Sequence, residues 1–228
     1  MLWSRRAAPL ATRLRRETRS VHRLVESTRL AKAFFRGALH RETYAEGLAR
    51  LYPVYAAMEA HLAALPPGHR LTAFFLPDVF RAAAILADLR FFGIPAEPLR
   101  EGASARYHAR IQQLISDDSP LLVAHAYVRY MADVSGGVIA GRVAQRVLRL
   151  DSHDGLAFLS FPSHVDPPRF RTSFRVRLNA FSEDPEECAR IVEEAKLAFS
   201  FNRELADEMW DTIPTRAAAQ ALTTNRQL

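Results

Sequence analysis

Residues 125–137 read HAYVRYMADVSGG, a helical pattern in which two adjacent glycines, Gly136 and Gly137, follow closely after the carboxylate of Asp133. A glycine inside a helix costs about 1 kcal/mol relative to alanine. The pair therefore indicates either tight helix packing or a kink at which something approaches the backbone more closely than a Cβ atom would allow. A large flat ligand would need such an approach.

The composition is that of one globular domain. The chain has 228 residues, of which 49% are apolar, and this is enough to bury a sizeable core. Its formal net charge is +6, with many arginines near the N-terminus and between Arg169 and Arg177. Such a surface attracts anions. The sequence has no zinc-finger spacing, RNP-type strand or long basic run, so we expect no nucleic-acid partner.

Cysteine usage and apolar runs bear on location. Cys188 is the only cysteine, which excludes an internal disulfide and a Cys-based metal site and indicates a reducing compartment. The apolar stretch within residues 1–13 is too short for a secretory signal, and no run approaches the roughly 20 apolar residues of a membrane span. We therefore expect a cytoplasmic protein with no membrane partner.

Scarce glycine and the lack of alternating patterns predict an all-α fold. Proline punctuation marks three helix starts, because a capping side chain precedes each proline at Ser119-Pro120, Asp166-Pro167 and Asp184-Pro185. Glu187 adds a capping-box arrangement to the last of these. Pro53 is expected to bend or end the first part of its helix. The earlier helices are expected at about residues 11–28, 42–62, 79–91, 102–115 and 120–150.

The stretch at residues 125–137 closely resembles the distal helix of the heme oxygenase family, which usually reads AHAYTRYLGDLSGGQ. Residues 14–22, LRRETRSVH, resemble the proximal helix of that family, and residues 192–202, VEEAKLAFSFN, resemble its last core helix. The resemblance covers about residues 10–212. It implies a single-domain, heme oxygenase-like helical bundle with heme between a proximal helix and a kinked distal helix. We expect this domain at 11–212, with an N-terminal tail at 1–10 and a polar tail at 213–228.

On the proximal side, the resemblance makes His22 the axial ligand of the heme iron. Glu26 lies one turn later and could accept a hydrogen bond from the imidazole nitrogen that does not bind iron. Arg15 lies seven residues before His22, about 10 Å along a helix, which suits the distance from a porphyrin iron to its propionates. From the residues alone, His22 would be read as a surface histidine.

Further ligand contacts follow from the same resemblance. Arg171 and Arg175 match positions that pair with propionates, and arginine forks suit carboxylates. Tyr127 matches a residue on that side. A solvated basic face and core packing are the alternatives for these residues. The backbone at Ser135, Gly136 and Gly137 is expected to press over the ring, and Phe199 is expected to wall the pocket, although aromatic core filling is the common role.

On the distal side, the resemblance gives Asp133 the central role. It implies that this carboxylate anchors ordered water and delivers protons through it. Arg129 and Tyr52 match other members of the network. Asn202 lies on an otherwise apolar helical stripe and needs a polar partner. A purely structural hydrogen bond remains the alternative for Arg129, Tyr52 and Asn202.

The chain departs from the family pattern at four distal positions. Ala132 stands where glycine normally precedes the aspartate, and its methyl group could crowd the oxygen site. Val134 replaces leucine, Val138 replaces glutamine and Val128 replaces threonine. Because of Ala132, a heme-binding or heme-carrier protein on the same fold is the alternative to an enzyme.

The resemblance implies a heme oxygenase. Heme would be both cofactor and substrate, cleaved with O₂ and externally supplied electrons to biliverdin, ferrous iron and CO. The sequence has no G-x-G-x-x-G nucleotide fingerprint, so electrons are expected from a separate reductase or ferredoxin, for which the basic face is a plausible dock. A thiaminase-like or di-iron relative is disfavoured, since no Glu-x-x-His pair occurs.

Overall fold

The computed structural model describes residues 8–97 and 99–224, and within them the chain is helical with no strand. The all-α prediction is confirmed. None of the described helices is both long enough and apolar enough to cross a membrane. The helices are α1 Leu10–Glu17, α2 Arg19–Glu26, α3 Arg29–Arg36, α4 Arg41–Ala64, α5 Ala82–Phe92, α6 Gly102–Ser116, α7 Leu122–Val147, α8 Pro167–Phe181 and α9 Pro185–Thr224.

The single helix predicted for residues 11–28 is wrong, because Thr18 divides it into α1 and α2. The Thr18 hydroxyl donates to the Leu14 carbonyl oxygen at 2.7 Å, a back-bonding contact that disturbs helices. No residue of α2 is buried. The short helix α3 was not predicted, although Thr28 caps its first turn and Gly37 ends it in the left-handed conformation, at a φ of 82°.

Helix α4 continues through Pro53, so the predicted end at this proline does not occur. Pro53 and its neighbours Val54 and Tyr55 are buried, and this packing offsets the backbone hydrogen bond that proline cannot make. Helix α7 also continues through its two glycines as one helix.

The predicted starts of α8 and α9 are confirmed. Asp166 accepts a hydrogen bond from the Arg169 backbone at 2.8 Å, and Asp184 accepts from the backbone of Glu187 at 3.1 Å. The capping box is only half formed, because the Glu187 carboxylate pairs with Arg70 at 2.8 Å. A tertiary ion pair has replaced the local bond.

Helix α9 organises the bundle. It packs against α1, α2, α3, α4, α6 and α7, and its inward stripe of Ile191, Val192, Ala195 and Ala198 is fully buried. Helices α1 to α3, here called the proximal helices, and helix α7 all pack against α9, and a space is left between the proximal helices and α7. Helix α9 also extends to Thr224, through most of the segment expected as a tail at 213–228.

Candidate active site

A cleft of about 490 Å³ opens between the proximal helices and α7, with α8 and α9 completing its walls. Its size suits a large organic ligand. It gathers residues from six of the nine α-helices that the structure describes, and most of the positions predicted from the sequence line it. The lining residues are Ala11, Arg15, His22, Glu26, Phe35, Tyr127, Val128, Met131, Ala132, Ser135, Gly136, Arg171, Arg175 and Phe199.

His22 lies on the proximal wall with its side chain 47% exposed. Its Nδ1 atom is 3.4 Å from a carboxylate oxygen of Glu26, one turn along α2, and its ring meets Phe199 edge to face at 5.4 Å. Nε2 has no partner in the part of the chain that the structure describes. The arrangement orients an imidazole that is free to coordinate a metal through Nε2, which is the pattern expected of an axial ligand.

Three arginines give the cleft its charge. Arg15 on α1 and Arg171 and Arg175 on α8 line it, and none of them forms an ion pair with a carboxylate among the described residues. Tyr127 lies near them: burial raises its pKa, while contact with Thr18 and the charges of Arg175 and Arg15 act in the opposite direction. A ligand with two carboxylates would satisfy this cationic end of the cleft.

The two glycines of α7 have different roles. A Cβ atom at Gly136 would meet no protein atom within 4 Å, because the space beside it is the cleft. A Cβ atom at Gly137 would lie 2.9 Å from a ring carbon of Phe161 and 3.3 Å from the Leu159 carbonyl oxygen. Packing therefore explains Gly137, which the structure places outside the cleft, whereas Gly136 leaves room for a ligand.

The segment against Gly137 is firmly held. Asp88 accepts hydrogen bonds from the backbone of Ala157 and Phe158 at 2.7 and 2.8 Å, and the Arg81 guanidinium lies over the Phe161 ring at 4.0 Å. Arg81 is placed in turn by Glu59, which accepts from its backbone N–H. Burial raises the pKa of Glu59 to about 7, although this bond opposes the shift. These polar contacts therefore hold in place the segment that packs against Gly137 of α7.

Behind the distal wall, Asp133 is buried in a hydrogen-bond network. Tyr55 donates to its carboxylate at 2.5 Å, and Arg129 donates to the Tyr55 oxygen at 2.7 Å while lying 3.6 Å from Asp133. Burial raises the pKa of Asp133, and the charge of Arg129 and the bond from Tyr55 oppose that shift. The proton affinity of this carboxylate is therefore raised by burial and only partly brought back down by its two neighbours.

The tyrosine in this network is Tyr55, and Tyr52 makes no such contact among the described residues. Tyr52 is half-buried and packs against the core. The two tyrosines are three residues apart on α4, so both lie near one helical face. Helical spacing cannot separate them, and only the depth of Tyr55, which is fully buried, decides between them.

Asn202 has the polar partners that its position required. Its side-chain oxygen accepts from Arg129, and its amide donates to the Ala198 carbonyl at 2.7 Å. Burial raises the pKa of Tyr107 to about 12, and the Asn202 side chain also acts on the Tyr107 hydroxyl, where it lowers the pKa against burial. This links the network to α6.

Beyond Tyr107 the polar contacts reach the surface, through residues that the sequence analysis missed. His125 lies 3.3 Å from the Tyr107 oxygen and 2.9 Å from a Glu194 oxygen, and Arg110 donates to Glu194 at 2.6 Å. Burial lowers the pKa of His125, so it is neutral and donates to the carboxylate. Burial opposes ionisation of Glu194, but the bonds from His125 and Arg110 outweigh it and lower its pKa to about 2.

The departures from the family pattern fall in different places. Ala132 lines the cleft and is exposed to it, so its methyl group occupies ligand space. Val128 also lines the cleft, and Val134 is buried. The side chain of Val138 lies outside the described residues.

Fold and site together define an all-α protein with a large cleft that has three arginines on its walls and an exposed histidine imidazole oriented by a carboxylate. The heme oxygenase family model matches residues 8–208. Heme oxygenase 1 of Bos taurus is 33% identical over 214 residues, which cover 91% of this chain and 74% of that protein. Heme oxygenase 2 of Synechocystis is 33% identical over 90% of this chain and 84% of its own.

Solved structures agree with these relatives. Heme oxygenase-1 of Synechocystis in complex with heme superposes with a TM-score of 0.85 at 30% identity, covering 95% of this chain and 99% of the other. The heme oxygenase of Leptospira interrogans gives 0.82 at 34% identity, covering 88% and 100%. The chain belongs to the heme oxygenase family, and it is an enzyme of that family.

Proposed function

We propose that this cleft holds heme between His22 on one wall and the backbone at Ser135 and Gly136 on the other. The reaction is that of the family, in which heme is cleaved to biliverdin, ferrous iron and CO with O₂ and external electrons. The observation that carries the proposal is His22, oriented through Nδ1 by Glu26 with Nε2 free at the cleft. Bound heme supplies the iron that activates O₂ and the ring that is opened.

The arginines orient the ligand. Arg15 on α1 and Arg171 and Arg175 on α8 line the cleft, and they hold the propionates by charge-assisted hydrogen bonds. Tyr127 lies at the same end. Because the propionates fix the rotation of the ring, these residues determine which edge faces the buried side of α7.

Asp133 acts from behind the distal wall. Its carboxylate is buried, and it exchanges protons with the cleft through ordered water rather than by direct contact with heme. Burial raises its proton affinity, Arg129 and Tyr55 lower it, and Asn202 accepts a hydrogen bond from Arg129. Asp133 and Arg129 are therefore the catalytic pair of this proposal. Tyr55 takes the place of Tyr52 in it.

The electrons come from a separate reductase or ferredoxin. An acidic donor fits the arginine-rich surface of α8, where Arg169 is exposed two residues before Arg171, one of the two α8 arginines that hold the propionates. Donor-driven turnover should therefore slow as ionic strength rises, whereas turnover driven by ascorbate should not. A cytoplasmic location belongs to the same proposal, and it is supported by the single, buried Cys188.

The test is the absorption spectrum of the protein with one equivalent of hemin, followed in air after ascorbate is added with catalase present. A Soret band that decays into a biliverdin band is the expected result. The exposed methyl of Ala132 favours a heme carrier as the second candidate, and a Soret band that persists would select it. His22→Ala should change the spectrum of the bound heme, and an unchanged spectrum would refute the axial-ligand assignment.

A further inference from the structure

Phe35 is a large aromatic residue that lines the cleft and stays exposed to water in the apoprotein. It lines the cleft from α3, its side chain is 60% exposed, and its ring contact is with its neighbour Phe34, edge to face at 5.2 Å. A phenylalanine left in water forgoes the free energy of burial, so the fold gains nothing from it in this position.

The platform under Phe35 is fixed. Helix α3 is capped by Thr28 at its start and by Gly37 at its end, and it packs against both α7 and α9. Movement of Phe35 is therefore limited to rotation of its side chain. A ring of this kind can close over a ligand without any rearrangement of the backbone.

The position of α3 indicates which end of the bound ligand Phe35 contacts. A Cβ atom at Gly37, two residues after Phe35, would lie 3.6 Å from the Val147 side chain at the C-terminal end of α7. The cationic end of the cleft is made by Arg15 and by the arginines of α8, and Tyr127, which lies near them, comes twenty residues earlier on α7, about 30 Å along the helix axis. Phe35 therefore belongs to the opposite, apolar end.

We infer that Phe35 closes over the apolar edge of the bound macrocycle, opposite its carboxylates, and slows its release. This rests on the proposed function, because it takes the ligand to be heme. The contact is apolar and aromatic, so it favours a planar macrocycle over its opened product, which cannot present the same flat edge.

The experiment measures the rate at which ferric heme leaves the protein for an excess of apomyoglobin, a readout that does not depend on turnover. Phe35→Ala should release heme about tenfold faster than the wild type, as expected when part of an aromatic contact is lost. Phe35→Leu keeps apolar bulk and should fall between the two. Phe75→Ala is the matched control, because Phe75 is 43% exposed, meets Phe80 edge to face at 5.5 Å and lies outside the cleft.

Equal release rates for Phe35→Ala, Phe75→Ala and the wild type would overturn the inference and leave the proposed function standing. A wild-type protein that forms no heme complex would overturn both. Thermal unfolding of the apoproteins separates a folding defect from faster heme release, since the Tm of Phe35→Ala should equal that of the wild type. If that variant fails to fold, release from Phe35→Leu decides, and a wild-type rate refutes the inference.

Discussion

Removing the hydroxyl of Tyr55 tests the distal network most directly. Tyr55→Phe deletes the bond donated to Asp133 at 2.5 Å and the bond accepted from Arg129 at 2.7 Å, and it leaves two buried charged groups short of a partner. Hydrogen bonds to charged groups contribute roughly 1.5–3 kcal/mol each. Because the two bonds share one atom and their energies do not add fully, we expect a loss of about 2–4 kcal/mol in the free energy of unfolding.

Such a loss is measurable by two methods. For a chain of this length it lowers the Tm by about 5–10 °C, and urea unfolding should give the same loss with an unchanged slope. The same variant should slow the ascorbate-driven decay of the Soret band at least tenfold, because loss of the Tyr55 bond raises the proton affinity of Asp133.

Tyr52→Phe is the matched control. Its hydroxyl has no hydrogen-bond partner among the described residues, so stability and turnover should change little. The network has been assigned wrongly if Tyr52→Phe lowers the free energy of unfolding as much as Tyr55→Phe does. It has also been assigned wrongly if the Tm of Tyr55→Phe lies within about 1 °C of the wild-type value.

Four further substitutions have defined outcomes. Ala132→Gly removes a methyl group from the cleft and should speed hemin conversion in air, and a slower variant would show that the methyl does not crowd the site. Gly137→Ala should cost about 1–3 kcal/mol of stability, since the new methyl would lie 2.9 Å from an aromatic carbon. Gly136→Ala meets open space, so it should preserve stability and weaken hemin binding; urea unfolding and hemin titration separate the pair. The pKa of Glu194 is lowered from 4.5 to about 2, so its contribution to stability is present above pH 4.5 and lost as the pH falls through 2. Glu194→Gln should flatten stability against pH over this range, and an unchanged profile would contradict the assignment.

The sequence predicts those parts of the site that depend on helical spacing or on a long contiguous motif. His22 and Glu26 are four residues apart on α2, so their contact follows from helix geometry alone. Ser135 and Gly136 belong to a contiguous stretch, and they line the cleft together. A polar partner for Asn202 could be predicted because this residue interrupts an apolar helical stripe.

The parts that the sequence could not predict depend on depth and on distant partners. Tyr52 and Tyr55 share a helical face, and only tertiary burial separates them. The bond between Glu187 and Arg70 joins residues 117 positions apart, and nothing in the local pattern indicates it. The sequence cannot distinguish Gly136 from Gly137, yet their surroundings differ, because Phe161 packs against Gly137 and not against Gly136.

The absence of any buried residue in α2 has a consequence for how this enzyme works over a full cycle. A helix of eight residues is marginal in water, and it persists only when other groups cover one of its faces. In the proposed function, heme completes that covering and acts as a transient piece of hydrophobic core, so amide hydrogen exchange in α2 should slow once heme is in place. Opening of the ring would withdraw this cover, and exchange in α2 should then return toward the rate of the apoprotein.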